Sequence, residues 1–392
     1  MKTEDIFLNF LNKGGIPYEK KLIQKHSNLV LSILSGRNPP PYELEIQPSA
    51  RCDAGCLHCF GRTYKHCDEK LYSEKSMERI VEQVLGFEKD GFKVKTIKFC
   101  GSTGEPLVNQ YTLHAINLIH GKRNQRLFTN GLNLGKNKNN ISYLETISKV
   151  NELDLSLDCG STEILWAVKP GAKKKNVFLE DILDSIKKIK FLSKKRGDNL
   201  EIDVGYVITN KNYTDVINAA TKLKEVGVDV LKFRIDLTDR SVSENHGKEI
   251  YKSLLEAQKV SDDNFKVYSV YNREEINSTD SCCFSTRDSN FKCFTSRLWA
   301  CIGPDAKAYA CGHIVNKNTQ NYGDLLEEDF QIIWESDKRK KIIESLPEKK
   351  CEICSPFSLR ANELLTFLSK VGFDESKKLI KNYFLNQNTS HH

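Results

Sequence analysis

The stretch Arg51-Cys-Asp-Ala-Gly-Cys-Leu-His-Cys-Phe60 places three cysteines, Cys52, Cys56 and Cys59, within eight residues. This C-x₃-C-x₂-C spacing lets one short loop present three thiolates, the soft ligands that iron–sulfur clusters require. A [4Fe–4S] cluster held by only three cysteines keeps one iron without a protein ligand, open to an external group. A zinc knuckle or three unrelated thiols are the alternatives that the motif leaves open.

A second motif lies further along the chain, in residues 94–107. The pattern predicts a short strand that runs into a glycine-rich turn and presents Glu105 at the strand's C-terminal end. Gly104 allows the backbone to approach a ligand closely, and Pro106 stiffens the turn. Residues 42–47, just before the cysteine loop, alternate apolar and polar as a strand does. Both motifs are therefore expected at the ends of strands.

Further predicted strands alternate with helical stretches along the chain. They are Gln125 to Thr129, Glu152 to Asp158, Leu200 to Thr209 and Val230 to Asp236, which bring the total to six. Between them lie amphipathic patterns such as 179–192, with apolar residues at i, i+3, i+4 and i+7. This alternation predicts an α/β fold of parallel βα units, whose active site lies at the C-terminal edges of the strands.

The cysteine loop and Gly104-Glu105-Pro106 resemble the signature motifs of the radical S-adenosylmethionine (radical SAM) enzymes. The resemblance implies a partial (β/α)₆ TIM-like barrel over residues 43–240. In that family the open iron chelates the amino and carboxylate groups of SAM, and the reduced cluster cleaves SAM to a 5′-deoxyadenosyl radical. Glycine and glutamate of the second motif bind the ammonium group of SAM. In this chain, Thr103 stands at the position where the family has the first glycine of that motif.

The resemblance also implies roles for residues outside the cysteines. His58 fills the position before the last cluster cysteine, near the adenine of SAM. Ser156, on the fourth barrel strand, is expected near the ribose. The run Lys173-Lys174-Lys175 offers a cation for the carboxylate of SAM, although a charge run more often forms a solvated face. The expected cofactor-binding residues are therefore His58, Gly104, Glu105, Pro106 and Ser156.

A second cysteine set lies near the C-terminus. Cys293 and Cys311 flank a predicted hairpin that turns at Gly303-Pro-Asp-Ala306, and Cys351-Glu-Ile-Cys354 follows. Four cysteines are enough to saturate a cluster, and a zinc ribbon is the alternative. The set resembles the "twitch" module, a shortened SPASM domain that holds one auxiliary cluster in many radical SAM enzymes. Ala306 stands where the family has a glycine.

Six cysteines belong to neither set: Cys67, Cys100, Cys159, Cys282, Cys283 and Cys301. Cys301 or the pair Cys282 and Cys283 are alternatives to Cys293 as an auxiliary ligand. Cys159 ends a predicted strand on the active-site edge, where a thiol can donate a hydrogen atom to a substrate radical. It is the candidate catalytic residue, and the alternative is a small buried hydrophobe.

The 392 residues, with 39% hydrophobic content and a net charge of +7, suffice for one large domain and a small one. We expect a helical extension (1–42), the barrel (43–240), a helical linker (241–290), the twitch module (291–356) and a helical tail (357–392). Thirteen cysteines indicate metal ligation in a reducing, cytoplasmic setting rather than disulfides. No apolar run, signal peptide or basic-aromatic strip predicts a membrane or nucleic-acid partner.

The resemblance implies two [4Fe–4S] clusters, SAM, and an electron donor such as flavodoxin or ferredoxin. One auxiliary cluster favours oxidation of a small molecule (a sugar, a cyclitol or a related metabolite), as in the radical SAM dehydrogenase that oxidises an aminocyclitol alcohol. The alternatives are an epimerase with a cysteine hydrogen-atom donor and an enzyme that modifies ribosomal peptides. The hypothesis from a different functional class is a binding protein that metal ions stabilise and that has no catalytic activity.

Overall fold

The computed structural model describes residues 2–12, 18–59, 61, 70–101, 104–236, 238–239, 241–269, 292–315, 320–347, 351, 354 and 356–389. All structural statements below concern these residues. Cys67, Cys282 and Cys283 lie outside them.

The helices are α1 (Thr3–Asn12), α2 (Tyr18–Leu34), α3 (Glu74–Gly86), α4 (Tyr111–Ile119), α5 (Leu132–Lys136), α6 (Ile141–Ile147), α7 (Thr162–Val168), α8 (Pro170–Lys174), α9 (Leu179–Arg196), α10 (Val216–Glu225), α11 (Ser241–Gln258), α12 (Thr295–Leu298), α13 (Phe330–Glu335), α14 (Asp337–Ser345), α15 (Pro356–Val371) and α16 (Phe373–Thr389). The strands are β1 (Glu43–Ile46), β2 (Glu88–Lys89), β3 (Phe92–Lys93), β4 (Thr96–Phe99), β5 (Asn124–Thr129), β6 (Glu152–Ser156), β7 (Glu201–Ile208), β8 (Val230–Ile235), β9 (Lys266–Ser269), β10 (Trp299–Ile302), β11 (Lys307–Tyr309) and β12 (Gly323–Asp324).

One sheet carries most of the described strands, in the order β12-β11-β10-β1-β4-β5-β6-β7-β8-β9. The strands from β10 to β9 in that order are parallel to their neighbours, while β11 and β12 are antiparallel additions at one edge. The C-terminal hairpin therefore joins the barrel sheet directly, through the pairing of β10 with β1. This pairing holds the C-terminal module in register with the barrel.

Each barrel strand divides its side chains between two environments. In β4, Ile97 and Phe99 are buried in the apolar core shared with the helices, whereas Lys98 forms an ion pair with Glu45 of β1 at 2.7 Å. This alternation follows from the two-residue period of a strand. The apolar side chains hold the helical layer against the sheet, and the charged side chains line the interior.

The two ends of the chain pack together. Phe7 of α1, Leu22 of α2 and Leu364 of α15 belong to one buried apolar cluster, separate from the main core. A buried ion pair, Glu19 to Arg360 at 2.9 Å, also links α2 to α15. The N-terminal extension and the C-terminal tail thus form one helical bundle rather than two appendages.

The bundle reaches the barrel at β8. The ring of Phe357, in the first turn of α15, lies 5.2 Å from the ring of Tyr18 and 5.3 Å from the guanidinium carbon of Arg234. Arg234 belongs to β8, so the C-terminal tail packs against a barrel cation. The Tyr18 hydroxyl lies 3.5 Å from that of Tyr42, and the bundle therefore also contacts the start of β1.

The predicted α/β partial barrel is confirmed, because all six predicted strands are present and parallel. The segment interpreted as a helical linker contains the helix α11 and also a strand, β9, which extends the sheet beyond β8. Strand β10 was expected only within the auxiliary hairpin, and it also pairs with β1. None of the described helices is long and apolar enough to span a bilayer.

Candidate functional site

The three loop cysteines follow β1 at its C-terminal end. Cys52 is exposed, and Cys56 and Cys59 are partly exposed. Gly55 adopts a φ of 64°, a left-handed conformation that favours glycine and turns the loop between the first two cysteines. The side-chain amide of Asn130, just past β5, lies 3.8 Å from Cys52 Sγ as a hydrogen-bond donor. The structure thus brings the predicted ligands to the C-terminal edge of the sheet.

The glycine-rich turn after β4 packs against the backbone that precedes the cysteine loop. A Cβ at Gly104 would lie 1.8 Å from the carbonyl oxygen of Ser49, so no larger residue fits without a backbone shift. The next residue, Glu105, donates its backbone N–H to the carbonyl oxygen of Arg51 at 2.8 Å. The two sequence motifs are therefore in direct contact.

Glu105 is 2% exposed and accepts three hydrogen bonds. Oε1 accepts from the Thr129 hydroxyl at 2.8 Å and the Leu107 N–H at 3.1 Å, and Oε2 accepts from the Asn130 N–H at 2.7 Å. Burial raises the pKa of the Glu105 carboxyl to about 7, against the effect of these donors. A carboxylate offers about four acceptor positions, so Oε2 keeps capacity for one further donor.

Asp53, between the first two cysteines, is held by polar groups from two neighbouring segments. Asn130 donates to Oδ1 at 2.8 Å, and Asn133 of α5 and Lys175 donate to Oδ2 at 3.3 and 2.5 Å. Lys175 belongs to the run expected to offer a cation to SAM, and here its ammonium neutralises Asp53. Lys173 and Lys174 are exposed on α8.

His58 is held by a buried acid. Its Nε2 lies 3.3 Å from Asp158 Oδ2, and the side chains are 7% and 0% exposed. Lys169 is also 0% exposed, and its Nζ lies 2.7 Å from the same Oδ2. Burial alone would raise the pKa of Asp158, but the charges of Lys169 and His58 hold that pKa well below its usual range. The imidazole of His58 is thus fixed in one orientation.

Ser156 and Cys159, at the end of β6, lie in different environments. Ser156 is exposed at the barrel mouth, with its hydroxyl 3.3 Å from Asp158 Oδ2. Cys159 is 0% exposed and belongs to the apolar core that the helices share. Burial is the main reason why the pKa of the Cys159 thiol lies well above its ordinary value. These surroundings favour the packing interpretation of Cys159 over the hydrogen-atom donor.

Charged side chains line the barrel interior. Arg126 of β5 contacts three acids at once: Glu152 at 2.7 Å, Glu43 at 3.2 Å and Asp154 at 3.3 Å. The Arg126 side chain is 23% exposed although it points into the barrel, so the interior has room for solvent. Interior ion pairs also join Lys98 to Glu45 and Lys232 to Asp203. Together these ion pairs give the barrel interior a polar lining.

Two of the four predicted auxiliary cysteines lie beside the C-terminal hairpin, Cys293 just before α12 and Cys311 just after β11. Cys311 begins the turn after β11, and its Sγ accepts from the His313 N–H at 3.4 Å. The pKa of the Cys311 thiol is raised, first by burial and then by the neighbouring Cys354 and Cys293. These three thiols are therefore close enough to interact electrostatically. Cys351 and Cys354 are both partly exposed.

Cys301, the alternative auxiliary ligand, is 1% exposed on β10. Its thiol donates to Glu45 Oε1 at 3.7 Å in the barrel interior.

The hairpin itself turns as predicted, with Ala306 at a φ of 64°. Alanine tolerates this left-handed conformation only at a cost of about 1–2 kcal/mol, which explains why related turns use glycine.

The spacing of the thiols bears on the choice between zinc and a cluster. Over the described ranges, only Glu74, Glu78 and His114 bring three ligand atoms of the His, Cys, Asp or Glu type within 4.8 Å of one another. Tetrahedral zinc, about 2.3 Å from each sulfur, needs sulfurs about 3.8 Å apart. Among the described residues, no three thiols of either cysteine set come this close together.

Three residues of this site did not stand out in the sequence. Asn130 contacts Cys52, Asp53 and Glu105, and its signal was its place directly after a predicted strand. Asp158 has a φ of 60°, and Lys169 follows α7 just before a proline. Asp158 and Lys169 belong to no sequence motif. Their role becomes visible only when the fold brings them into contact with each other.

The chain is similar to known proteins through its fold. No family model matches it, and no curated protein matches it. Solved structures do match: Streptococcus suis SuiB bound to S-adenosylmethionine has a TM-score of 0.57 at 17% identity, over 88% of this chain and 77% of SuiB. SuiB bound to the precursor peptide SuiA has a TM-score of 0.56 at 18% identity, over 88% and 76%. Native anSMEcpe with bound AdoMet has a TM-score of 0.51 at 18% identity, over 88% and 98%.

These structures are radical SAM enzymes with SPASM or twitch domains, and the likeness extends over most of the present chain. The two motifs that carried the resemblance lie side by side at one edge of the parallel sheet. The chain therefore shares the fold of these solved structures.

Proposed function

We propose that this chain is a radical SAM oxidoreductase that abstracts a hydrogen atom from a small, polar substrate and oxidises it. The observation that carries the proposal is the convergence of the cysteine loop, Glu105 and Asn130 at the C-terminal edge of the barrel. When bound, a [4Fe–4S] cluster with an open iron and SAM supplies a 5′-deoxyadenosyl radical, and an auxiliary cluster supplies an acceptor for the substrate's second electron.

The protein's own residues bind and orient in this proposal. Cys52, Cys56 and Cys59 hold the first cluster, and Cys293, Cys311, Cys351 and Cys354 hold the second. Their thiols fit these groups because thiolates are the ligands that such clusters take, and the Asn130 side-chain amide, 3.8 Å from Cys52 Sγ, gives the first set a hydrogen-bond donor.

For SAM, the backbone at Gly104 and the remaining acceptor position of Glu105 provide the ammonium site, and Pro106 stiffens the turn that carries them. The exposed Ser156 hydroxyl lies at the barrel mouth. His58 is fixed by Asp158 and therefore presents the same face to any ligand of the loop.

The lining of the barrel supports a polar substrate. Lys98 and Glu45, for example, are 18% and 14% exposed inside the barrel, so solvent reaches both charges. An apolar substrate would strip water from these charges without replacing its hydrogen bonds, at a cost of several kcal/mol. A sugar or cyclitol carries hydroxyl groups that replace that water.

Modification of a peptide is the second candidate, and the likeness to SuiB bound to its precursor peptide favours it. The two candidates differ in what enters the barrel. A peptide would place one side chain there and leave the rest of its length outside, whereas a metabolite would be enclosed.

The test is anaerobic reconstitution with iron and sulfide, followed by reaction with SAM and a reductant. Panels of sugars and cyclitols and of peptides are supplied, and 5′-deoxyadenosine and substrate masses are followed. We expect 5′-deoxyadenosine formation to rise with a polar metabolite, and the product to be two mass units lighter. A product of unchanged mass in H₂O that gains one deuterium when the reaction is run in D₂O would instead identify an epimerase, and a modified peptide would establish the second candidate.

A further inference from the structure

Lys169 lies at the junction of α7 and α8, and its side chain is fully buried. Its Nζ donates to Asp158 Oδ2 at 2.7 Å and to the carbonyl oxygen of Leu157 at 3.1 Å, and it also donates to the carbonyl oxygen of Ser156. All these acceptors lie at the C-terminal end of β6. A buried ammonium with an ion-pair partner and two carbonyl acceptors keeps its charge.

The residues on either side of Lys169 hold the cysteine loop. The Leu57 N–H donates to the carbonyl oxygen of Val168 at 3.3 Å, and the Gly171 N–H donates to the carbonyl oxygen of Ala54 at 2.8 Å. The middle cysteine of the loop lies between Ala54 and Leu57 in the chain. The backbone therefore holds the segment of Lys169 against the loop on both sides of that cysteine.

Asp158 carries the balancing negative charge. Its Oδ2 contacts Lys169 and lies 3.3 Å from His58 Nε2, while its Oδ1 accepts from the Val207 N–H of β7 at 2.7 Å. Its backbone φ of 60° is uncommon for a residue other than glycine. One positive and one negative charge are thus held rigidly beside the loop, each by several hydrogen bonds.

We propose that Lys169 is a positioning residue whose fixed charge beside Cys56 raises the reduction potential of a cluster bound at the loop, and that Asp158 opposes it. Reduction by an external one-electron donor adds one negative charge to the cluster. A nearby positive charge stabilises the reduced form and a negative charge destabilises it, and both effects are strong where water is excluded. This inference rests on the proposed function, because it requires the cluster at Cys52, Cys56 and Cys59.

The test is a mediated redox titration of reconstituted wild-type, Lys169→Met and Asp158→Asn proteins, read by electron paramagnetic resonance. The signal of the loop cluster is the one that changes when SAM is added. At the wild-type midpoint, we expect the reduced-to-oxidised ratio to fall at least threefold in Lys169→Met and to rise at least threefold in Asp158→Asn. Lys187→Met, which changes an exposed lysine of α9, is the matched control and should leave the ratio within its experimental error.

A purely structural role would change cluster content without moving the two potentials in opposite directions. Shifts of the same sign, or unchanged ratios with the signals intact, would overturn the inference and leave the proposed function standing. If Lys169→Met does not retain the cluster, the Asp158→Asn variant alone decides the test. A reduced-to-oxidised ratio that does not rise in Asp158→Asn then refutes the inference. Absence of any SAM-responsive signal in the wild type would instead overturn the proposed function.

Discussion

Gly104 approaches the backbone of Ser49 so closely that a Cβ on it would lie 1.8 Å from the Ser49 carbonyl oxygen. This contact joins the glycine-rich turn to the segment that leads into the cysteine loop. The position of the glycine-rich turn and that of the cysteine loop are therefore coupled through this glycine.

Gly104→Ala is expected to destabilise the protein by about 3 kcal/mol or more, because backbone must move on at least one side of the contact. Thermal unfolding of the iron-free protein measures the effect. Gly86→Ala is the matched control, since a Cβ there meets nothing within 4 Å and alanine favours a helix. Equal unfolding temperatures for Gly104→Ala and the wild type would contradict the described contact.

Glu105 makes the stability of the iron-free protein depend on pH. The pKa of its carboxyl is about 7 in the folded state, against an ordinary value of 4.5. The folded state therefore binds more protons between these values, so the free energy of unfolding falls as pH rises from 4.5 to 7. Glu105→Gln removes this dependence, and we expect its stability relative to the wild type to improve by about 2–3 kcal/mol from about pH 4.5 to about pH 8.

Urea unfolding at several pH values measures this difference. Glu327→Gln, at an exposed glutamate, should follow the wild-type profile. A Glu105→Gln profile parallel to the wild type would show that the carboxyl titrates normally in the fold.

Cys159 is expected to serve packing rather than catalysis. Cys159→Ala should cost about 1 kcal/mol of stability, as a small cavity does, and should keep full turnover. Product formation and solvent-deuterium incorporation are the measurements. A variant that cleaves SAM and abstracts hydrogen but forms no product would identify Cys159 as the hydrogen-atom donor instead.

The auxiliary cysteines are expected to bind iron independently of the loop. The double substitution of Cys351 and Cys354 by alanine should remove about four irons per chain, the content of one cubane, and should leave the SAM-responsive signal. Iron and zinc analysis after anaerobic purification checks this. Zinc at the wild-type site would refute the auxiliary cluster and remove the electron acceptor on which oxidation depends.

Periodicity located the six barrel strands because each is a short segment whose own side chains alternate or are uniformly apolar. The pairing of β10 with β1 was not predictable, because it joins segments from opposite ends of the chain and depends on backbone atoms that every residue shares. Strand β9 was not predicted either, because its four residues lie between longer polar stretches of the sequence.

Some residues of the candidate site could likewise be predicted from the sequence, and others could not. Spacing identified the cysteines, Gly104 and Glu105, since their chemistry requires close neighbours in sequence. Lys169 could not be found, because its partners Asp158 and the loop backbone become neighbours only in the fold. The run of Lys173 to Lys175 drew attention as a charge cluster, yet the fully buried lysine lies four residues before it.

The central claim is that Cys52, Cys56 and Cys59 hold a cluster that cleaves SAM. The most direct measurement compares iron content and 5′-deoxyadenosine formation in the reconstituted wild type and in the variant with all three cysteines changed to alanine. We predict the loss of about four irons per chain and of all SAM cleavage, with the auxiliary cluster retained. SAM cleavage that persists in the triple variant would contradict the account.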